Sequence, residues 1–329
     1  MFAKLKELWK VSRENKRLRK KLAKLNVRIT RQKDRIRLLK EGGETSHRIR
    51  PENIIWIFGS GRTGSTWLAR MMGELTKASS SGRRNSFWNE PWAGHIFYLA
   101  IEQSEAIGRK GKGFILAPHY KSTWLRSIKG FVLDGADARF PEMHSGDHLV
   151  IKEPGGSVGA PLLMEALPES CMVFLVRDPR DVVASQADAH GEGGFMSPDG
   201  AGDPSSEERA ISAAKRYLRN IQKSKQAYES HKGRKVLVRY EDLRADTLGT
   251  MKRVYSSLEI PVEDERLAQA VRKYSWENIP EEEKGSGKKF RKATPGGWRE
   301  DLTPEQVKTV ERIAAPVLEE FYSDSALQS

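Results

Sequence analysis

Residues 59–66 read GSGRTGST, directly after the apolar run IIWIF (54–58) and directly before WLARMMGEL (67–75). A buried strand, a glycine-rich turn and the start of a helix follow one another here. In such a turn the backbone N–H groups and the positive end of the helix face an anion. The spacing is that of a phosphate-binding loop, G-x-x-x-x-G-K-[ST], except that Ser65 stands at the lysine position. A nucleotide triphosphatase needs that lysine and an aspartate for magnesium, and neither is evident. Arg62 lies three residues earlier and can reach an oxygen from another side.

Working outward from this loop, strand-like runs alternate with helical ones. HLVIK (148–152) precedes a helical stretch around APLLMEAL, and CMVFLV (171–176) precedes DVVASQADA. A helix over 207–230, a strand KVLVRY (235–240) and helices over 247–258 and 263–274 follow. Apolar strands joined by helices predict an α/β fold, a doubly wound parallel sheet with helices on both faces. GEGGFMSPDGAGDPSS (191–206) is too rich in Gly, Pro and Ser for an element and is expected to be a long mobile loop.

The chain has 329 residues, enough for one large α/β domain, with 38% apolar content. Its formal charge of +13 is unevenly placed. Residues 1–50 carry 18 Lys+Arg against 5 Asp+Glu, which leaves 39 of each in the remainder. The globular part is therefore neutral overall, and its charge gives no reason to expect specific nucleic-acid binding. In the basic segment Leu8, Val11, Asn15, Leu18, Leu22, Leu25, Ile29, Gln32, Ile36 and Leu39 are spaced alternately three and four apart. This predicts a coiled coil over 5–40, with Asn15 at an a position favouring a homodimer. A single amphipathic helix lying on its own domain, on an acidic partner or on an anionic membrane surface is the alternative. The expected division is a basic coiled-coil helix (1–41), a linker (42–50) and one domain (51–329). Cys171 is the one cysteine, so no intrachain disulfide can form and a buried apolar role is expected. With no apolar run near the ~18 residues of a membrane span, the expectation is a cytoplasmic protein, peripheral to a membrane at most.

GRTGSTW (61–67) resembles the 5′-phosphosulfate loop of sulfotransferases, whose pattern is roughly [KR]-[ST]-G-[ST]-[ST]-W/F. The resemblance implies a P-loop-like sulfotransferase fold with 3′-phosphoadenosine 5′-phosphosulfate (PAPS) as co-substrate and no metal. It gives Gly61, Thr63, Gly64, Ser65 and Thr66 to the phosphosulfate, Arg62 to the bridging oxygen and Trp67 to the adenine. Arginine at position 62 is commoner in carbohydrate-type members than in cytosolic ones.

VFLVRDPRDVVAS (173–185) puts Arg177 at a strand end and Asp178 and Pro179 where an N-cap and a first-turn proline belong. An arginine and a hydroxyl so placed can pinch a phosphate. The stretch resembles the family's 3′-phosphate motif, R-[ND]-P-[KR]-D-x-x-x-S, which implies Arg177 and Ser185 as ligands; Arg180 and Asp181 read as a local helix-start ion pair. FRKATPGGWREDLTPEQ (290–306) resembles the C-terminal R-K-G-x-x-G-x-W segment and implies Arg291 and Lys292 on the 3′-phosphate, with Ala293 departing from Gly. Tyr240 in VRYEDL matches a tyrosine of the adenine pocket. These matches run in order over about residues 54–306.

Sulfuryl transfer is an in-line displacement, and the acceptor must lose a proton to a base. Cytosolic members use a His after a K-x motif, but Lys152 is followed by no His. Carbohydrate members use a Glu downstream of the first helix, and Glu90 in SFWNEPW is the preferred base, with Glu153 the runner-up. Either could instead be a salt-bridged carboxylate, to Arg83, Arg84 or Lys152. Phe87, Trp88, Trp92, Phe97 and Tyr98 surround Glu90 in sequence and suit stacking on a sugar face, or equally a lid or core. No His, Cys or carboxylate spacing points to a metal. The combined expectation is a PAPS-dependent sulfotransferase acting on a hydroxyl or amine, with carbohydrate acceptors favoured. A nucleotide kinase, disfavoured by Ser65, and a nucleotide-binding scaffold acting through its coiled coil without turnover are the alternatives.

Overall fold

The computed structural model describes residues 47–75, 87–106, 113–144, 146–190, 207–288 and 290–323. The expected coiled coil, most of the linker and the loop expected over 191–206 lie outside these residues, as do Arg83 and Arg84. Residues 47–50 already belong to the domain. Ile49 is fully buried, and the Arg48 side chain donates to the carbonyls of Asp137 and Pro141 at 3.0 Å each.

In chain order the elements are β1 (Ile54–Phe58), α1 (Ser65–Leu75), β2 (Phe87–Asn89), α2 (Ala93–Ala106), α3 (Lys121–Arg139), β3 (Leu149–Lys152), α4 (Ala160–Ala166), β4 (Cys171–Val176), α5 (Pro179–Ala189) and α6 (Glu207–Ser230). They continue as β5 (Lys235–Arg239), α7 (Tyr240–Ala245), α8 (Thr247–Ser257), α9 (Asp264–Lys273), α10 (Trp298–Asp301) and α11 (Pro304–Phe321). The strands form a wholly parallel sheet in the order β2-β3-β1-β4-β5. The four strands expected from sequence are its centre and one edge. β2 was not expected: FWN is three residues long, and it becomes a strand because β3 offers a free parallel edge, with Asn89 opposite Lys152.

Alternation along β1 sends Trp56 and Phe58 to one face and Ile55 and Ile57 to the other. The first face packs against α3, α4, α6 and α11, and the second against α1, α8 and α9. Two apolar layers over one sheet make the doubly wound architecture. β1 and β3 are buried at every position because helices cover both faces. With the first crossovers leaving β1 toward β3 and β2, and β4 and β5 lying on its other side, the loops after β1 and β4 meet at the carboxyl ends of the strands. That crevice is where ligands of open α/β sheets bind.

α5 starts as its sequence dictates. Asp178 is the N-cap and accepts from the Arg180 amide at 2.8 Å, and Pro179 occupies the first turn. From Pro179 to Gln186 every side chain is buried, so Ser185 is held on a helix with no freedom to tilt.

Candidate functional site

The turn after β1 needs glycine at two places. Gly59 has φ +155 and a Cβ there would sit 2.2 Å from the Leu175 carbonyl oxygen; Gly64 has φ +88 and a Cβ would meet the Tyr240 ring at 2.5 Å. Arg62 adopts φ +69 without being glycine, a conformation costing about 1–2 kcal/mol. Two contacts hold it there. Its Nε donates to Ser185 Oγ at 2.9 Å, and its carbonyl accepts from Arg177 Nη1 at 3.1 Å. The first and second sequence motifs thus lock together directly.

Arg177 stacks over Tyr240 at 4.3 Å from the ring centroid and approaches Asp181 at 3.6 Å. Its Nε is buried and has no hydrogen-bond partner among the described residues. Burial, and then the neighbouring Arg177, push the Arg62 guanidinium down to about 10, with Arg291 acting in the same direction. Converging cations and an orphaned buried donor are the mark of a site shaped for an anion of high charge.

A cavity of about 290 Å³ opens over this cluster. Gly61, Arg62, Gly64, Ser65, Thr66, Trp67, Glu90, Arg177, Ser185, Tyr240, Arg291 and Lys292 all line it. Two expected residues do not. Thr63 is fully buried and its hydroxyl donates to the Ser60 carbonyl at 2.7 Å, closing the turn from inside. Glu153 is fully buried beneath the cavity.

At one end Trp67 stands edge-on to Tyr240, donates Nε1–H to the Tyr274 carbonyl at 2.7 Å and lies under Arg244, 5.3 Å from its ring. Arg244, Trp276 and Ile279 complete this aromatic end and were not anticipated. Arg244 sits on a short helix after β5, where no spacing relates it to the other motifs. At the other end Lys152 Nζ bridges Thr66 Oγ1 at 3.2 Å and Glu90 Oε1 at 3.0 Å. Glu90 retains 30% side-chain exposure and faces the cavity, whereas Lys152 has 6%.

Residues 290–294 line the cavity, and the Lys284–Phe290 bridge before them fixes where they start. That bridge is pinned by Asp188, which accepts from Ser286 Oγ at 2.6 Å and from the Gly287 amide at 2.9 Å, and by Arg70 over Phe290. Ala293 adopts φ +53, so it keeps the left-handed backbone that glycine would supply freely. Arg291 pairs with Asp301, and Lys292 with Glu300 and Asp301 at 2.9 and 3.0 Å. Asp181 is more than a local partner of the helix start: it accepts from the amides of Gly296 and Trp298 at 2.8 and 3.0 Å and so anchors this segment to α5. Arg180 bonds Asp178, pairs with Glu311 at 2.9 Å and stacks on Trp298, a tether between α5, α10 and α11.

A model described as "Sulfotransferase family" matches residues 54–264. The chain belongs to the sulfotransferase family. Cytosolic sulfotransferase 17 of Arabidopsis thaliana is 26% identical over 203 residues, 53% of this chain, which spans 58% of that relative's length. Among solved structures, mouse sulfotransferase SULT7A1 complexed with PAP superposes with a TM-score of 0.50 at 13% identity over 86% of this chain and 90% of that one. Retinol dehydratase in complex with retinol and PAP gives 0.50 at 15% identity, over 82% of each chain. At these identities the likeness establishes the fold. Among the described residues no group of His, Cys, Asp and Glu could hold a metal ion, and no helix is long and apolar enough to cross a membrane.

Burial raises the Glu153 carboxyl to about 8, opposed by the Trp92 amide and reinforced by Glu90. The folded state then keeps a proton that the unfolded chain releases near 4.5, so stability falls as pH rises from about 4.5 to about 8. Glu153→Gln should remove that penalty. Chemical denaturation should show the variant gaining on the order of 3 kcal/mol at pH 7 and little at pH 4.5; an equal gain at both pH values would refute the assignment.

Proposed function

We propose that this sulfotransferase moves a sulfuryl group from PAPS to a hydroxyl or amine of an acceptor, with a carbohydrate hydroxyl as the favoured class. The observation that carries this reading is one cavity lined by residues of all three motifs, with the Glu90–Lys152 pair against the first loop at one end. Arg177, Ser185, Arg291 and Lys292 hold the 3′-phosphate; the 61–66 loop amides, with the Thr66 hydroxyl, hold the phosphosulfate; Trp67 and Tyr240 hold the adenine. When bound, PAPS supplies the sulfuryl group and leaves as adenosine 3′,5′-bisphosphate. Arg62 neutralises charge on the departing bridging oxygen, Lys152 faces the transferring group from the acceptor side, and Glu90 takes the acceptor proton.

A carbohydrate acceptor is supported by three features. The basic residue of the loop is arginine, the base candidate is a glutamate, and Trp92 presents a half-exposed ring beside Glu90, suited to a sugar face. Ser65 in place of lysine speaks against a kinase. A thermal-shift titration tests the cofactor reading. Adenosine 3′,5′-bisphosphate should raise the melting temperature, by RT ln(1 + [L]/Kd) in free energy, and ATP with magnesium should not. A response to ATP alone, or to neither, would favour the kinase or the scaffold. Turnover with PAPS across a panel of sugars and phenols then tests the acceptor class.

For residues 1–41 we retain the reading of a basic coiled-coil helix that pairs two copies of the chain. Deleting residues 1–45 should halve the mass in solution by light scattering; an unchanged mass would remove the coiled-coil dimer.

A further inference from the structure

Glu153 is buried, titratable and unused by the chemistry above. It follows Lys152 at the end of β3, and its carboxyl is packed so closely that a Cβ on Gly156 would lie 2.1 Å from Oε1. Oε2 accepts the Trp92 amide at 3.1 Å, whereas Oε1 is buried with no hydrogen-bond partner. Its main chain is held just as firmly. The amide donates to Ile57, and the carbonyl accepts from Ser157 Oγ at 2.9 Å, a hydroxyl that itself accepts from the Gly59 amide at 3.0 Å. Glu153 therefore sits between the entrance of the phosphosulfate loop and residues 90–92.

Those three residues form an unusual turn. Glu90 has φ +47 and Trp92 φ +58, with Pro91 between them, and each left-handed side-chain-bearing residue needs outside support to persist. Both supports come from consecutive residues of one strand end. The Lys152 carbonyl accepts from the Glu90 amide at 2.7 Å, and the Glu153 carboxyl accepts from the Trp92 amide. The turn carries Glu90, which lines the cavity, and the Trp92 ring beside it. A Cβ on Gly155 would lie 3.2 Å from the Trp92 ring and 3.6 Å from Glu90 Oε2, so ring and carboxylate converge on the same spot. Trp92 is 43% exposed there, with His95 packed edge-on against it.

We propose that Glu153 is a positioning residue: its buried carboxyl, through the Trp92 amide, holds the left-handed turn that sets Glu90 at the acceptor end of the cavity and the Trp92 ring beside Glu90. This rests on the reading of Glu90 as the base. The geometry also separates the two carboxylates by task. Glu90 lines the cavity and is paired with Lys152; Glu153 does not line it, and its carboxyl accepts from the Trp92 amide of the turn. The charged groups acting on Glu153 are Glu90 and Lys152, His95 lies behind Trp92, and from α6 the polar group here is the uncharged Asn220, bonded to the Pro154 carbonyl. Burial keeps the Glu153 proton on up to about pH 8, so at neutral pH the group acts as a neutral acceptor that an amide can replace.

The test uses the full chain labelled with ¹⁵N-tryptophan, the Trp92 amide being assigned with Trp92→Phe. In the wild type that amide resonance should titrate with a midpoint near pH 8, and in Glu153→Gln it should be flat from pH 6 to 10. Glu153→Gln should keep kcat within about twofold at pH 7. Glu153→Leu should lower kcat at least about tenfold while leaving adenosine 3′,5′-bisphosphate affinity within about twofold, by thermal shift. A Trp92 amide that does not titrate in the wild type, or full activity in Glu153→Leu, would overturn the proposal. Inactivity of Glu153→Gln with an unmoved Trp92 amide would also overturn it, because it would make Glu153 a proton-transfer group. Failure of the base reading appears elsewhere, as full activity in Glu90→Gln, and leaves the amide titration unaffected.

Discussion

Glu90→Gln is expected to lower kcat by about 10²–10⁴-fold, the range for loss of a positioned general base. The substitution is close to isosteric, and its amide oxygen can still accept from Lys152 Nζ, now 3.0 Å from Glu90 Oε1. Nucleotide affinity should therefore stay within about twofold, because the groups proposed to hold the phosphates lie in the loop after β1, just after β4 and on α5, and in the C-terminal segment. The loss should fall on kcat and kcat/KM together, as for an interaction made only in the transition state. Steady-state rates with saturating PAPS decide it. An active Glu90→Gln would leave the acceptor to deprotonate without this carboxylate and would remove Glu90 from the mechanism.

Arg62→Ala should cost about 10²–10³-fold in turnover, the scale seen when one charge-stabilising donor is removed at a leaving oxygen. Binding of adenosine 3′,5′-bisphosphate should be largely intact. The reason is electrostatic: Arg62 is crowded by Arg177 and Arg291 and is itself pushed down to about 10, so its removal lowers the repulsion in the unliganded site as well as the attraction for the anion. Ser185 loses the Arg62 Nε–H but remains fixed on the buried α5. Equal activity in Arg62→Ala would sink the leaving-group role, and an equal loss of bisphosphate affinity and rate would recast Arg62 as a ground-state binding residue.

Much of this site is legible in the chain because each motif carries its own local physics. Glycines at 59 and 64 predict the turn, and the structure puts a carbonyl and an aromatic ring where their side chains would be. Asp178 and Pro179 predict a helix start, and Asp178 caps it. These are short-range effects, decided by backbone conformation within a few residues, so composition and spacing suffice. Thr63 shows the limit of that reasoning: it sits within the loop pattern, yet its hydroxyl closes the turn rather than facing the cavity.

The order of the four longer strands and the turn after β1, together with the charge balance of a neutral domain behind a basic N-terminal segment, are legible in the sequence alone, through periodicity, glycine placement and charge. The tertiary structure decided what depends on distant segments meeting. β2 exists because β3 offers it a partner edge, and Arg62 keeps a strained conformation because Arg177, just after β4, and Ser185 of α5 hold it. The difference between Glu90 and Glu153 is likewise one of burial, since spacing alone gives two glutamates near a lysine. Packing exposes one to the cavity, seals the other beneath it, and so separates two chemically identical side chains by the dielectric around them.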